Sequence, residues 1–459
     1  MKKAVVMLLV VSLFAVILGF TPVRAAGGIV VQITVGSTKA YINSKVVVLD
    51  QPPIIENGRT LVPVRFIGEA FGATIGWDPV KKTVSYVLED KNIVLTIGSI
   101  TAMVNGVKTT LDVAPKILPT GRTVVPVRFI SESIGAKVDW NSTTRMVTVT
   151  VAPITGTINY YTSMPEVNIT ALIEEFKKVQ PGIKVNLYRA ATGTVLAKLN
   201  AEIQGGNVVV DVLSVAEPST SILLREQGQL LKFTPSGAKN LAEQYKDKDG
   251  YFYAFGVTDM VIIYNTQLVK DKPTGYSDML KPEYKGKVCI GDAASSGAFT
   301  HLVGTMLQNG FGWDYFQKLK ANGVVVVPGP SDVAQKVATG EVLIGITQDS
   351  TAKQMKESGS PVDYIYPAEG TDIKNCNIEI LKSTKNKDAA FAWIEFLLSK
   401  ETQQFILDNK IMTPVVPGMK YPANSIDPST IKAMKLDDEL LATQSADTIQ
   451  KFSQIFGGA

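Results

Sequence analysis

One histidine, His301, and two cysteines, Cys289 and Cys376, are the only imidazole and thiol donors among 459 residues. A zinc finger, an iron–sulfur cluster and a histidine-rich metal centre each need more such donors, so all three are excluded. Carboxylate and tyrosine sites for hard metals stay open. An excess of charge of one sign is also missing. Lys2, Lys3 and Arg24 lie in a segment expected to be removed, and without them 43 basic residues face 42 acidic ones. That near balance gives no electrostatic ground for a nucleic-acid or membrane-surface partner. What is present is apolar material for packed cores, with 45% hydrophobic against 19% charged residues. Disorder is therefore ruled out for the bulk, and at roughly 100–200 residues per domain the length predicts more than one folded unit.

Lys2 and Lys3 precede an apolar run from Ala4 to Phe20, and Thr21-Pro22-Val23-Arg24-Ala25 follows it. A basic start, an apolar middle and a small residue at the end predict a secretory signal over residues 1–25. No cysteine stands at that cleavage point, so a lipid anchor there is not expected, and no later stretch is long and apolar enough to span a bilayer. The mature chain is expected to be secreted, on the outer face of the cell envelope or in a periplasm.

Self-similarity defines the next unit. GRTLVPVRFIGEAFGATIGWD at 58–78 returns as GRTVVPVRFISESIGAKVDWN at 121–141, and ITVGS at 33–37 returns as LTIGS at 95–99. In each copy, strand-like stretches lead to the GRT turn, a short helix and a strand carrying Trp77 or Trp140. These motifs closely resemble the copper amine oxidase N-terminal-like domain found on exported bacterial proteins. The resemblance implies a small α+β domain of two repeats over residues 27–151, serving as a spacer or cell-surface module. It does not imply amine oxidation, because that chemistry uses copper held by several histidines and this chain has His301 alone. No cofactor is expected.

Residues 152–156 form a linker to a different pattern. Strands at 157–161, 183–188 and 208–214 alternate with helices at 167–179 and 194–204, which predicts a parallel sheet covered by helices. Ligands of such sheets bind at the carboxyl ends of the strands. The residues there are Thr162 and Ser163, Thr192 and Gly193, Ser214 and Glu217, Ser295, Ser296 and Gly297, and Gln348 and Asp349. Hydroxyl and glycine residues at helix starts leave N–H groups free for anionic oxygens. The same residue types are ordinary helix caps, so each loop alone is weak and the group together points to a polar cleft.

This second unit resembles the solute-binding proteins of ABC importers, in the type II periplasmic-binding-protein group that includes ferric-ion, phosphonate, sugar-phosphate and thiamine receptors. The carrying stretches are YYTSMPE at 160–166, YNTQLV at 264–269 and LKPEYKGKVCIGDAASSGAFT at 280–300. The resemblance implies an α/β two-lobed fold over 157–459, with lobe one at 157–256 and 366–459 and lobe two at 265–360. Strands crossing at 252–265 and 363–367 would form the hinge. With Cys289 in lobe two and Cys376 in lobe one, a disulfide would oppose closure, so two unpaired thiols are expected.

Ferric members commonly carry an adjacent tyrosine pair where this chain has Gln348 and Asp349. The Ser295-Ser296-Gly297 turn instead looks like the anion-gripping turn of the phosphonate and sugar-phosphate members. Asp349 and Glu369 are then expected to read a hydroxyl or amino end. The sequence thus points to a non-enzymatic receptor for a small anionic solute, with an ABC permease as partner and the stalk as a contact to the cell wall. Two alternatives stay open: a ferric receptor assisted by a bound anion or chelator, and an envelope structural or adhesion protein.

Overall fold

The computed structural model describes residues 28–88, 91–422 and 428–457. The expected signal segment, 1–25, lies outside them.

In the first repeat β1 (Ile29–Thr34), β2 (Lys39–Ile42), β3 (Lys45–Val48), β4 (Ile54–Glu56) and β5 (Arg59–Pro63) precede α1 (Val64–Phe71), β6 (Thr74–Asp78) and β7 (Thr83–Leu88). The second repeat supplies β8 (Lys91–Thr96), β9 (Thr101–Val104), β10 (Val107–Thr110), β11 (Lys116–Ile117), β12 (Thr123–Pro126), α2 (Val127–Ser133), β13 (Lys137–Asn141) and β14 (Met146–Val151). The repeats interleave instead of sitting side by side. One sheet runs β13-β14-β1-β2-β3, and a second runs β10-β9-β8-β7-β6. Ile29 pairs with Val151, so the first strand of the module is hydrogen-bonded to its last. A third sheet joins β5 to β12 across the repeats. Both short helices follow a proline, Pro63 or Pro126. The chain then reverses through Gly72 and Gly135 at φ 80°, a left-handed conformation that glycine adopts without steric cost. Ile33, Val62, Ile67 and Tyr86 of one copy share a single core with Ile93, Val125, Ile130 and Val149 of the other.

The larger unit begins with β15 (Gly156–Thr162), α3 (Glu166–Val179), β16 (Ile183–Arg189), α4 (Thr192–Gln204), β17 (Val212–Ser214) and α5 (Ser219–Glu226). β15 pairs in parallel with both β16 and β17, as the alternating pattern predicts. The long strand β18 (Phe252–Asn265) then carries the chain across. β19 (Val288–Gly291), α6 (Gly297–Gln308), α7 (Gly312–Ala321), β20 (Val325–Val327), α8 (Pro330–Ala338), β21 (Ile344–Gln348), α9 (Asp349–Glu357) and β22 (Val362–Ile365) build the second lobe. β23 (Ile373–Ile380) returns, followed by α10 (Lys387–Leu397), α11 (Lys400–Asp408) and α12 (Asp438–Phe456).

β18 serves both lobes because it is long enough to change partners along its length. Phe252 to Asp259 pair with β23 on the lobe-one side, and Met260 to Asn265 pair with β21 or β22 on the lobe-two side. Two separate cores result. Trp393, Phe176 and Tyr160 anchor one, while Phe299, Met306 and Ile262 anchor the other. Cys376 is buried in the first and Cys289 in the second, and both are free.

One expected boundary is corrected. The stretch 366–459 does not all belong to lobe one: Met434, Phe452 and Ile455 are buried in the lobe-two core. Phe452 lies 4.5 Å from Phe456 in a tilted pair and faces Phe316 of α7 edge-on at 6.4 Å, so this end of α12 packs on lobe two. Local periodicity marks α12 as a helix but carries no information about which lobe receives its apolar face.

Candidate ligand cleft between the lobes

The carboxyl ends of β15 and β17 meet the start of α6 across the lobe boundary. Thr162 Oγ1 lies 3.1 Å from Ser214 Oγ, which is 2.5 Å from the hydroxyl of Tyr160. Thr162 also accepts from the Met164 N–H at 3.1 Å, and Ser163 Oγ accepts from the Ala216 N–H at 2.8 Å. These hydroxyls order the two loops.

Thr192 and Gly193 do not precede α4 but form its first turn. Their helix start points at the start of α6, where Ser296 is the N-cap residue and Gly297 opens the helix. The Gly193 N–H donates to the Ser295 carbonyl at 3.4 Å. A Cβ placed on Gly297 would come 2.8 Å from both Glu217 Cβ and Thr192 Cγ2, so the absence of a side chain there lets the lobes touch. Ser295 Oγ donates to the Pro328 carbonyl at 2.9 Å and fixes the turn from behind.

On the other side of the cleft Gln348 precedes α9 and Asp349 opens it. Asp349 accepts from the Asp259 N–H at 3.3 Å and from Lys353 Nζ at 2.6 Å. Burial, then the neighbouring charge of Asp349, raises Asp259 to about 8. Burial acts to lower Lys353, but the Asp349 carboxylate more than offsets it and the ammonium is held above its usual range. Gln354 of α9 donates to Asn168 of α3 at 3.3 Å, and Lys410 pairs with Glu357, two further contacts between the lobes. Asp349, Lys353 and Glu357 line a cavity of 280 Å³ with Tyr364, Tyr366 and Tyr421.

Two sequence candidates have other roles. Glu369 is not in the cleft: its carboxylate accepts from the N–H and hydroxyl of Ser277, at 3.1 and 2.7 Å, within lobe two. Glu217 is adjacent to the α6 start, but its carboxylate is committed to Ser219 at 2.9 Å and to Ser445 of α12. A loop position near a strand end is what made both look available. Conversely, Lys353 escaped the sequence reading although its spacing four residues after Asp349 is that of a helical ion pair. Tyr160, whose hydroxyl meets Ser214, was also missed. Among the described residues no group of three or more His, Cys, Asp and Glu side chains is placed to hold a metal ion.

Two α/β lobes joined by crossing strands, with loops converging between them, define a ligand-closing binding protein. The model of the bacterial extracellular solute-binding protein family matches residues 171–433, and the chain belongs to that family. The copper amine oxidase N-terminal domain model matches residues 23–86 and 41–149. The chain is similar to a probable ABC transporter periplasmic-binding protein, y4fP, of Sinorhizobium fredii, 25% identical over 277 residues, covering 58% of this chain and 75% of that one. Iron uptake protein A1 of Synechocystis is 25% identical over 296 residues, covering 58% and 80%. The spermidine/putrescine-binding periplasmic protein of Escherichia coli is 25% identical over 323 residues, covering 62% and 88%. Among solved structures, AfuA of Actinobacillus pleuropneumoniae with fructose-6-phosphate bound shares the fold at a TM-score of 0.61. It is 23% identical and covers 66% of this chain and 99% of that one. Iron-bound HitA of Pseudomonas aeruginosa gives 0.58 at 21% identity, covering 65% and 99%. The protein is thus a solute-binding receptor of the ABC-importer type, with a small-molecule ligand and a permease as its partners. No helix among the described residues is long and apolar enough to cross a membrane.

Proposed function

We propose that this receptor captures a small anionic solute, a phosphorylated or phosphonate metabolite, outside the cell and hands it unchanged to an importer. The observation that supports the reading is the head-on meeting of two helix starts from different lobes, α4 at Thr192 and Gly193 and α6 at Ser296 and Gly297. Each start presents N–H groups that have no intrahelical acceptor, and each favours negative charge by about 0.3–1 kcal/mol when exposed and up to ~2 kcal/mol when partly buried. An oxyanion bound beside this contact, within reach of both helix starts, draws on both lobes at once, which is what makes closure depend on ligand. Residues 27–151 act as a stalk that holds the receptor at the cell surface and contacts the wall.

A ferric reading has one observation in its favour, the three tyrosines beside Asp349 and Glu357 around the 280 Å³ cavity. Burial pushes the Tyr364 and Tyr366 phenols up, so a metal would have to displace protons that this environment retains. Calorimetry against sugar phosphates, aminophosphonates, ferric citrate and thiamine decides between them. The anion reading expects a sugar phosphate or phosphonate to bind, and expects proline at both Ser295 and Ser296 to abolish the binding. Tight ferric binding that survives those substitutions overturns it.

A further inference from the structure

On β23 the side chains of Lys374, Cys376, Ile378 and Ile380 fall on one face by strand alternation. The last three belong to the lobe-one core, and Lys374 puts an ammonium at the next position of that face, 1% exposed. It lies on the hinge, paired in register with Thr258 of β18. Its Nζ has no hydrogen-bond partner.

The charges around it are otherwise matched. Asp349 is paired with Lys353, and Asp372 accepts from His301 at 2.8 Å. Asp372, two residues before Lys374 on the same side of the strand by alternation, accepts from His301 and Thr305 of α6 at 2.8 and 2.9 Å, so this side of the hinge is turned toward α6. Asp259 is the remaining acid, and its burial disfavours the ionised form that could have balanced the lysine. A buried ammonium without a partner is destabilising, and a lysine kept only for stability would be paired as Lys353 is.

We infer that Lys374 is the cation that receives the oxyanion of the solute at the hinge, on the floor of the cleft. The inference rests on the anion reading above and narrows it. The ligand carries a group with several oxygens, a phosphate or phosphonate, so that one oxygen meets the ammonium while others reach the helix starts. Lysine suits this floor because its three donors act from a single point, without the flat fork of an arginine.

The test uses the full mature chain, Lys374→Met and Lys374→Arg, and thermal melting with and without inorganic phosphate and fructose 6-phosphate. Without any anion the methionine variant is expected to melt above the wild type, since a buried unpaired charge has been replaced by an apolar chain of similar length. A lower melting point shows that Lys374 stabilises its carboxylate neighbours, and overturns the inference. With anion, the wild type is expected to gain stability by mass action, the methionine variant to bind about 100-fold more weakly, and the arginine variant to keep part of the gain. A methionine variant that responds like the wild type removes Lys374 from the site while leaving the anion reading intact. A wild type that responds to neither probe nor to any anion of the calorimetric panel sinks the anion reading, and the assignment of Lys374 with it.

Discussion

Gly193 and Ser295 belong to different lobes, and the amide of the first donates to the carbonyl of the second over 3.4 Å. Nothing larger than glycine fits at this contact. A Cβ on Gly193 would approach the Ala294 carbonyl to 2.9 Å, and one on Gly297 would meet Thr192 and Glu217 at 2.8 Å. The Ala294 backbone leaves little room for the first clash to relax, while the second falls on the side chains of Thr192 and Glu217. Gly193→Ala and Gly297→Ala should therefore hold the lobes apart. If the closed form becomes a minor population, apparent affinity falls in proportion, about 10-fold for a closed fraction of about one tenth. Small-angle scattering should report a larger radius of gyration for the variants with ligand present. Variants that bind and compact like the wild type would show that closure does not pass through this contact.

His301 ties three elements together from the middle of α6. Its Nδ1 is 2.8 Å from Asp372 at the start of β23, and its Nε2 is 3.8 Å from Asp438 at the start of α12. Burial alone would lower its pKa, but the charge and hydrogen bond of Asp372, followed by Asp438, reverse this and raise it to about 9 from 6.5. Thr305 donates to the same Asp372 oxygen at 2.9 Å, and the charge of Lys374 acts to lower the His301 value. Because the folded value is the higher one, the stabilising contribution is complete below about pH 6.5 and is lost as pH rises through about 9. Urea unfolding midpoints should fall over that window, and His301→Gln should flatten the slope while lowering stability at about pH 6. An unchanged slope in the variant would assign the pH dependence to other groups.

The pairing of Ile29 with Val151 closes the repeat module between its first and last strands. Neither repeat then contains a complete sheet: β1 needs β14 from the other copy, and the β5–β12 pair is shared. A fragment of residues 27–152 should melt cooperatively alone, whereas 27–88 should show no cooperative transition by circular dichroism. Val149→Asp, placing a charge in the shared core, should unfold the longer fragment, because an unpaired buried carboxylate costs more than a small domain's margin of about 5 kcal/mol. A folded 27–88 fragment would mean that each repeat is its own unit.

Much of this architecture was legible from local signals. The GRT-VPVRF repeats marked both short helices and their glycine ends, and the alternation of strands and helices after residue 156 marked a parallel sheet. The crossing at 252–265 followed instead from the resemblance to the solute-binding proteins. These properties depend on the order of residues along the chain: helix and strand periods of apolar side chains, and turns that demand a left-handed glycine. Thr162, Ser214, Thr192, Ser296 and Gly297 could be placed at strand ends or helix starts for the same reason.

What the tertiary structure alone decided are the relations between segments distant in sequence. It interleaved the strands of two repeats expected to pack as one module, and it sent α12 to lobe two through Phe452 and Ile455. It withdrew Glu369 to Ser277 and Glu217 to Ser445. It also left Lys374 buried without a partner on the hinge. Whether an acid or an amine is free, paired or stranded depends on which side chains arrive from elsewhere and how much water they exclude. Sequence determines which residues can form a cleft of this kind, and packing determines which of their charges are left for a ligand.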